Sequence, residues 1–410
     1  MSLDLAAASD VLKVRYIGPI REQINQKTVL LSRLEKEDGF VDTSGKTFTV
    51  PIHTGRNISA GSSRTDGGTL PTAGVQQYKT AVIPNAYVYT TIKVTGPTIR
   101  ATRDSAGAFV RAIDSETRGA TKDMKREVNR MFNGDGTGAL AYWTSADNTS
   151  GTDVDDKQGT NFVHLPKAGT ITCDLIDASD HSTKVGDSIV ITRGASTTTT
   201  TAVTWAGTVT GSADEDYLVK EDTLGNEIMG LRGIVSASNP PLLSGGLHGL
   251  AVASNAYWTA QSFGNSGTKR DLDLDIMQAP LDAIAMESDF DESDVSFLLA
   301  NYAIRAKYVS LLQADKRFVN TMTLDGGFTA VEFNGKPMIL DSQADRGRIY
   351  YIVGESLRIF RTSDFDWMDQ DGAVLARVAN EDAYSATLFA YMNLGCLFRN
   401  ANAVLFDLND

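Results

Sequence analysis

The chain has 410 residues, of which 42% are hydrophobic and 22% are charged, and its formal net charge is −13. These values exclude wholesale disorder and a fibrous repeat, and the length suffices for two or three domains with substantial cores. No apolar run approaches the length of a membrane span. An acidic chain is a poor general nucleic-acid binder, although an acidic wall suits a container that must not hold DNA tightly.

The start of the chain and its cysteines bear on the compartment. Acidic residues stand where a signal peptide would carry positive charge, so we expect a protein that is made and used in a cytoplasm. Cys173 and Cys396 are the only cysteines, and they lie far apart in the sequence. This argues against a disulfide framework and against a paired zinc or redox motif.

Residues 1–37 are predicted to form an arm. Gly18 and Pro19 interrupt it, and the stretch IREQINQKTVLLSRLEKE then carries apolar residues at roughly helical spacing. One short amphipathic segment cannot build a core alone, so we expect it to dock on something larger.

An unusual hairpin follows the arm. Phe48, Val50 and Ile52 alternate along one predicted strand, and a second β-rich run spans Lys79 to Gly96. The Gly-, Ser- and Thr-rich connection of roughly 20 residues is longer than a compact domain usually leaves without structure. Because a lone two-stranded hairpin is only marginally stable, we predict that this one packs on a neighbouring subunit. The side chains predicted to contact that neighbour are Phe48, Val50, Ile52, Tyr87 and Tyr89.

The strongest periodic signal predicts one long amphipathic helix from about Ser105 to Phe132. About 28 residues at 1.5 Å per residue form a rod of roughly 40 Å. Asn133 and Gly134 can end this helix. Its polar side carries a basic stripe, for which a solvated face and a contact with a neighbouring subunit are both open interpretations. The stripe consists of Arg111, Arg118, Lys122, Lys125, Arg126 and Arg130.

From Thr144 to about Asp222 the chain becomes rich in Thr, Ser, Gly and Asp and contains several strand-like pieces. We predict a small all-β domain, a barrel or a sandwich. Further on, RDLDLDIMQAPLDAIAMES and SDVSFLLANYAIRAKYVSLLQADKR are predicted to be helical. In the second stretch, the residues at helical spacing are Leu298, Tyr302, Arg305, Val309 and Leu312. Asn334 and Gly335 form a predicted hairpin turn, and later stretches predict strands. Helices and strands mix without a regular βαβ alternation, so the fold class is α+β.

Several short stretches resemble catalytic or ligand-binding motifs, but they lack the neighbouring residues or elements that such motifs require. The Gly-Lys-Thr at 45–47 lacks the earlier glycine and the following helix of a phosphate-binding loop, and the glycine-rich stretch 134–138 ends a helix where a nucleotide site would open one. The four histidines stand apart, and the acidic stretch 289–294 lacks the ligand spacing of a calcium loop. The sequence therefore predicts no catalytic residue, no cofactor and no metal site, and we expect a protein that is not an enzyme.

The order of elements resembles the major capsid protein of tailed bacteriophages, whose fold is named for bacteriophage Hong Kong 97. The stretches that carry the resemblance are GKTFTVPIHTGRNISAG, GGTLPTAG, VTGPTIRATRDSAGAFVRAIDSE, VNRMFNGDGTG, RGIV, SLLQADKRF, LDGGFTAVEFNGKPMILD and NLGCLFRNA. The resemblance as a whole extends over the chain except for its β-rich region.

The resemblance implies a Hong Kong 97-like capsid fold with an inserted all-β domain. The implied parts are an N-terminal arm at 1–37, an extended E-loop hairpin at 38–95, a spine helix and the first part of a peripheral domain at 96–143, the inserted β-rich domain at 144–226, an axial domain at 227–344, and closing strands at 345–410. Some relatives carry a long N-terminal scaffolding segment that this sequence does not show. Either a separate scaffolding protein or a mature form is therefore expected.

The function implied by the resemblance is structural. Copies of the chain would assemble as pentamers and hexamers into an icosahedral shell around double-stranded phage DNA. The expected partners are the chain itself, scaffolding and portal proteins, and packaged DNA without sequence-specific binding, with no membrane. A decoration protein stays open, as does a covalent cross-link that would draw on Lys46, Lys79 or Asn400. The expected location is the virion, after a stage in the host cytoplasm.

Two alternatives remain at the level of sequence. A bacterial encapsulin-type nanocompartment shell uses the same fold, and a protein cargo in place of DNA would identify it. From a different class, the Thr-rich region suits a secreted β-rich adhesin or a glycan-active protein, which a glycan-binding or hydrolysis screen would reveal.

Overall fold

The structure is a computed structural model that describes residues 28–36, 40–42, 47–59, 68, 71–101, 112–144, 151–314, 321–324, 328–369 and 374–410. Most of the predicted arm, part of the hairpin tip and Arg111 of the basic stripe lie outside these residues. The described chain divides into two compact units. One comprises described residues within 89–124 and 367–388, and the other those within 28–88, 125–366 and 389–410.

Six α-helices lie within the described residues, and the longest of them, α3, has 22 residues. Their bounds are α1 Val29–Lys36, α2 Gly96–Ala101, α3 Ala112–Asn133, α4 Leu231–Ile234, α5 Leu274–Glu287 and α6 Tyr302–Ala314.

The strands are more numerous and vary from two to fourteen residues. Their bounds are β1 Phe40–Asp42, β2 Thr47–Gly55, β3 Gln77–Pro84, β4 Ala86–Thr95, β5 Ala141–Trp143, β6 Gly151–Asp155, β7 Thr170–Ile176, β8 Lys184–Ser196, β9 Thr201–Ala206, β10 Tyr217–Lys220, β11 Gln261–Phe263, β12 Val295–Ala300, β13 Thr321–Leu324, β14 Phe328–Phe333, β15 Lys336–Leu340, β16 Ile349–Val353, β17 Leu357–Trp367, β18 Ala376–Arg377, β19 Ala383–Cys396 and β20 Ala403–Leu405.

These strands form four separate β-structures. One sheet has the order β1-β17-β19-β18, with β4 also paired to β19, and a seven-stranded sheet has the order β11-β20-β16-β12-β15-β14-β13. Strands β2 and β3 form a two-stranded sheet, and β5 to β10 form a closed barrel. Helices and strands are interleaved along the chain without a regular βαβ alternation, as the α+β prediction expects.

Helix α3 confirms the strongest sequence signal over the part that is described. Ala120, Met124, Val128 and Met131 follow one another at spacings of three and four and are all buried. The helix ends at Asn133, as predicted, and Gly134 N–H donates to the carbonyl of Met131 at 3.0 Å. The predicted first turns, from Ser105, fall partly outside the described residues.

The predicted hairpin is shorter than expected, because β3 and β4 belong to different sheets. Strand β2 pairs antiparallel with β3, with Phe48 opposite Ile83 and Ile52 opposite Lys79. Strand β4 follows after Asn85 and pairs with β19. The prediction of one hairpin across 38–95 is therefore wrong for the β4 part, since an apolar alternation shows that a strand is half-buried but not which strand lies beside it.

The β-rich region folds as a six-stranded barrel in the order β10-β5-β6-β9-β8-β7. Strand β10 closes it by pairing with both β5 and β7, so that Tyr217 lies opposite Tyr142 and Ile176. The barrel begins at Ala141 rather than at Thr144. Its interior is filled by apolar side chains, as expected for a barrel too narrow to hold a ligand. The buried cluster includes Leu140, Trp143, Val154, Val163, Cys173, Leu175, Ile189, Ile191, Val203 and Leu218.

The seven-stranded sheet packs with α5 and α6 around a second core. Leu298, predicted to be helical, lies instead in β12, which pairs with β15 on one side and β16 on the other. The run Val295–Ala300 is buried on both faces, as in a central strand, so its sequence shows no alternation of apolar and polar residues that would indicate a strand. The turn at Asn334 and Gly335 is confirmed, and both residues have positive φ, as a two-residue hairpin turn requires.

Candidate assembly site

The root of the β2–β3 hairpin is a small apolar cluster within the chain's own core. Phe48 and Ile83 face each other across the two strands and are buried together with Phe360, whose ring lies 5.2 Å from that of Phe48. Val50 and Leu397 pack against the cluster. Phe48, predicted to contact a neighbour, is only 6% exposed and is therefore committed to its own subunit. That part of the predicted contact set is corrected.

Beyond the root, the hairpin exposes its large apolar side chains. Tyr78 and Val82 on β3 are 65% and 41% exposed, and Val75 and Ile58 near the tip reach 75% and 90%. Ile52 is half-buried. Four large apolar side chains are thus exposed on the described part of the hairpin, a clustering that is typical of interaction surfaces.

Polar contacts shape the outer end of the hairpin. His53 Nε2 and Gln76 Oε1 lie 2.9 Å apart across the strands, and Asn57 Nδ2 donates to the carbonyl of Gly74 at 2.9 Å. A side chain at Gly74 would collide with that of Asn57, which explains the glycine at this position. Within its described residues, the outer hairpin is therefore held by polar contacts and not by a buried apolar cluster.

Tyr87 and Tyr89 alternate with buried residues along β4 and are about half exposed. The Tyr87 ring packs edge-on against Tyr391 at 5.1 Å, and Tyr391 in turn packs against Phe389 at 4.9 Å. Both predicted tyrosines therefore stay accessible on the outer face of their strand, as the strand period of two requires.

The hairpin root is attached to the rest of its unit by polar contacts that the sequence analysis missed. Val82 N–H donates to the carbonyl of His248 at 2.9 Å, and Cys396 N–H donates to His248 Nε2 at 3.1 Å. Asn393 Nδ2 donates to the carbonyl of Pro84 at 2.7 Å. Burial, with the nearby positive charge of Arg399, lowers the pKa of His248 to about 3, so the ring is a neutral acceptor at physiological pH.

Arg399 holds the loop that contains His248. The buried guanidinium donates to the carbonyls of Ile234 and Ser238, at 2.8 and 2.7 Å, and to those of Trp258 and Gly233. Its acceptors are backbone oxygens, and burial lowers the pKa of Arg399 to about 10. An arginine directly after the apolar stretch 394–398 was the sequence signal that could have marked a buried structural cation.

The basic stripe of α3 divides into exposed and buried members. Arg118, Lys122, Lys125 and Arg126 are exposed, and the ammonium of Lys125 lies 5.5 Å from the centre of the Phe365 ring. Arg130 is buried, so its prediction as part of a surface stripe is corrected.

Arg130 belongs to a buried ion network. Its guanidinium lies 2.9 Å from Glu127 and also contacts Glu227, while the ammonium of Lys220 on β10 lies 2.5 Å from Glu127. Burial alone would raise the pKa of Glu127, but Arg130 and Lys220 together hold it well below its usual range. Burial dominates at Glu227, whose pKa is raised. The network joins the end of α3 to the barrel through paired charges.

The described residues contain no group of three or more His, Cys, Asp or Glu side chains placed to hold a metal ion. Nor does any described helix combine the length and the apolar character needed to cross a membrane.

Comparison with known proteins identifies relatives by structure alone. No protein-family model matches the chain, and no curated protein sequence matches it. Among solved structures, the chain is similar to the capsid asymmetric unit of cyanophage A-1(L), with a TM-score of 0.62 and 13% identity over 98% of both chains. It is also similar to the capsid of a native GTA particle, with a TM-score of 0.56 and 12% identity over 99% of this chain and 98% of that one. A structure from Mycobacterium phage Bobi matches all of both chains with a TM-score of 0.50 and 10% identity.

Proposed function

We propose, from the phage capsid-protein fold that this chain has, that it is a major capsid protein whose copies assemble into the shell of a phage particle. The fold supports this proposal because the structural match extends over nearly the whole chain. The observation that carries it is the outer hairpin, whose Tyr78, Val82, Val75 and Ile58 are exposed among the residues that the structure describes. A second copy of the chain would cover them.

In this proposal the hairpin divides into an anchor and a contact surface. Phe48 and Ile83 fix the root to the subunit, and the residues beyond them reach the next copy. Val50 and Ile52 lie at the boundary, whereas Tyr87 and Tyr89 present a second exposed surface on β4. Each large apolar side chain buried between copies contributes about 1.5–3 kcal/mol, repeated throughout the shell.

The same proposal assigns roles to the oligomers, the net charge, the barrel and helix α3. Pentamers and hexamers would close the shell around double-stranded DNA, with scaffolding and portal proteins as partners, and the net charge of −13 would keep the polymer from binding tightly. The barrel β5–β10 would be an inserted domain. The exposed Arg118, Lys122, Lys125 and Arg126 of α3 would contact an acidic surface of a neighbouring copy.

Electron microscopy of the purified chain, expressed alone and together with its neighbouring genes, tests the proposal. We expect closed particles of uniform size, and nucleic acid inside them when packaging proteins are present. Light scattering that found only monomers across salt and protein concentrations, with and without those genes, would overturn it. Closed particles filled with a protein cargo would instead identify a nanocompartment shell.

A further inference from the structure

A polar cavity of about 180 Å³ lies at one end of the barrel. Barrel strands and their connecting loops form one side of it, α4 and the stretch after α4 form the other, and Arg348 lines it from just before β16. Its aromatic and basic lining residues are Tyr142, Lys157, His181, Tyr217, Arg232 and Arg348. At roughly 30 Å³ per water molecule, the cavity has room for a tetrahedral oxyanion together with several waters.

The lining is cationic, in contrast to the acidic chain as a whole. Lys157, Arg232 and Arg348 line the cavity, against a single lining carboxylate, that of Asp135. Lys157 has a largely exposed carboxylate, that of Glu215, at 3.4 Å. Three cations around one cavity favour an anionic occupant.

The two arginines keep hydrogen-bonding capacity that nearby carboxylates do not use. Arg232 lies 3.8 Å from Asp135 and 3.6 Å from Asp345, and Arg348 Nε lies 3.8 Å from Asp345, all beyond hydrogen-bond length. Arg348 Nε is buried and has no hydrogen-bond partner within the described part of the chain. A buried donor without an acceptor is costly, and a ligand rich in acceptors would relieve it.

An aromatic platform fixes the positions of two of the cations. The Lys157 ammonium and the Arg232 guanidinium lie 5.4 and 5.9 Å from the centre of the Tyr142 ring. On the barrel side, His181 Nδ1 lies 3.2 Å from the Tyr217 hydroxyl. The cationic groups are therefore positioned before any ligand arrives, which reduces the entropy lost on binding.

Backbone strain coincides with this lining. Lys157 and His181 have φ of 66° and 56°, in the left-handed region that side chains other than glycine rarely adopt. Such strain collects at ligand-binding sites.

We propose that this cavity binds a phosphate-type oxyanion, held by the guanidinium groups of Arg232 and Arg348 and by the ammonium of Lys157. Guanidinium forks match the geometry of phosphate oxygens, which is why arginine is the common choice at such sites. The shared chemistry is the phosphate group, whether it arrives as free phosphate or as the terminal phosphate of a nucleic acid strand. The site is independent of the shell role and would be present in the single subunit.

The test is isothermal titration of the full-length chain with inorganic phosphate at constant ionic strength, with chloride as the reference anion. We expect saturable binding that Lys157→Met weakens about tenfold, the loss of one charge-assisted contact. Lys167→Met is the matched control, because Lys167 is an exposed barrel lysine that does not line the cavity, and it should bind like the parent chain. Arg348→Met is a second variant, and circular dichroism shows that each variant is folded.

A second arm identifies the source of the phosphate. Displacement of bound phosphate by a short 5′-phosphorylated oligonucleotide, but not by its unphosphorylated form, would support the site with a nucleic acid end as its ligand. Binding of inorganic phosphate alone would support it with the free anion as its ligand. Either the absence of saturable heat, or equal binding by the Lys157→Met and Lys167→Met variants, would overturn the proposal.

Discussion

The hairpin β2–β3 and the barrel β5–β10 are both antiparallel β-structures, but they cover their apolar side chains differently. The barrel closes on itself, and among its described residues Val190 is the only large apolar side chain that is exposed. The hairpin buries Phe48 and Ile83 at its root and leaves Ile58, Val75, Tyr78 and Val82 uncovered. The barrel covers its apolar side chains by closing on itself, whereas the described part of the hairpin keeps an open edge and an exposed apolar face.

The largest effect is expected in the barrel core. Trp143→Ala removes a large side chain that is 1% exposed and should lower the free energy of unfolding by about 3–5 kcal/mol. Val190→Ala, on the barrel surface, should change it by less than about 0.5 kcal/mol. Urea unfolding of both variants gives the comparison. If both substitutions changed the free energy of unfolding by similarly small amounts, the barrel would not be stabilised by its own core.

The anchor between barrel and helix comes next. Arg130→Met leaves Glu127 and Glu227 buried with one fewer cation, which should destabilise the chain by about 3 kcal/mol. The effect stays at the lower end of the range for broken buried ion pairs, because the raised pKa of Glu227 makes its protonation easy. Arg126→Met, at an exposed position of the same helix, is the control. If Arg130→Met lowered the free energy of unfolding as little as Arg126→Met does, the network would not anchor the barrel.

The smallest effect is a pH dependence at the rim of the barrel. Burial, reinforced by Asp156, Asp214 and Glu215, raises the pKa of Asp155 to about 6 from an ordinary value of 3.8. In the unfolded chain this carboxylate loses its proton at a lower pH than in the folded chain. The free energy of unfolding therefore declines as pH rises from about 4 to 6 and stays lower above pH 6. Asp155→Asn should therefore raise the melting temperature at pH 7 and leave it nearly unchanged at pH 4, whereas Asp289→Asn should change it at neither pH. A gain at pH 4 equal to that at pH 7 would contradict this account.

Local periodicity predicted the elements that depend on neighbouring residues. The three-and-four spacing around Met124 and Val128 gave α3, and Asn334 with Gly335 gave a hairpin turn, because both signals lie within a few residues. Leu298 was misassigned because a strand buried on both faces has no period. Arg130 was misplaced because its partner Glu227 lies 97 residues away, and the covering of Phe48 depends on Phe360, which is still more distant in the sequence. Spacing along one helix or strand contains no information about such partners.

Adjacent residues of β3 offer the most direct test of the central claim, since Val82 faces outward and Ile83 faces the root cluster. The measurement is melting temperature together with particle yield for the double variant Tyr78→Ser, Val82→Ser and for Ile83→Ser. We predict that the double variant melts like the parent chain and forms no particles, whereas Ile83→Ser melts at a lower temperature because it opens the subunit's own core. Normal particle formation by the double variant, or a steep fall in its melting temperature, would show that the outer hairpin is not the contact between copies.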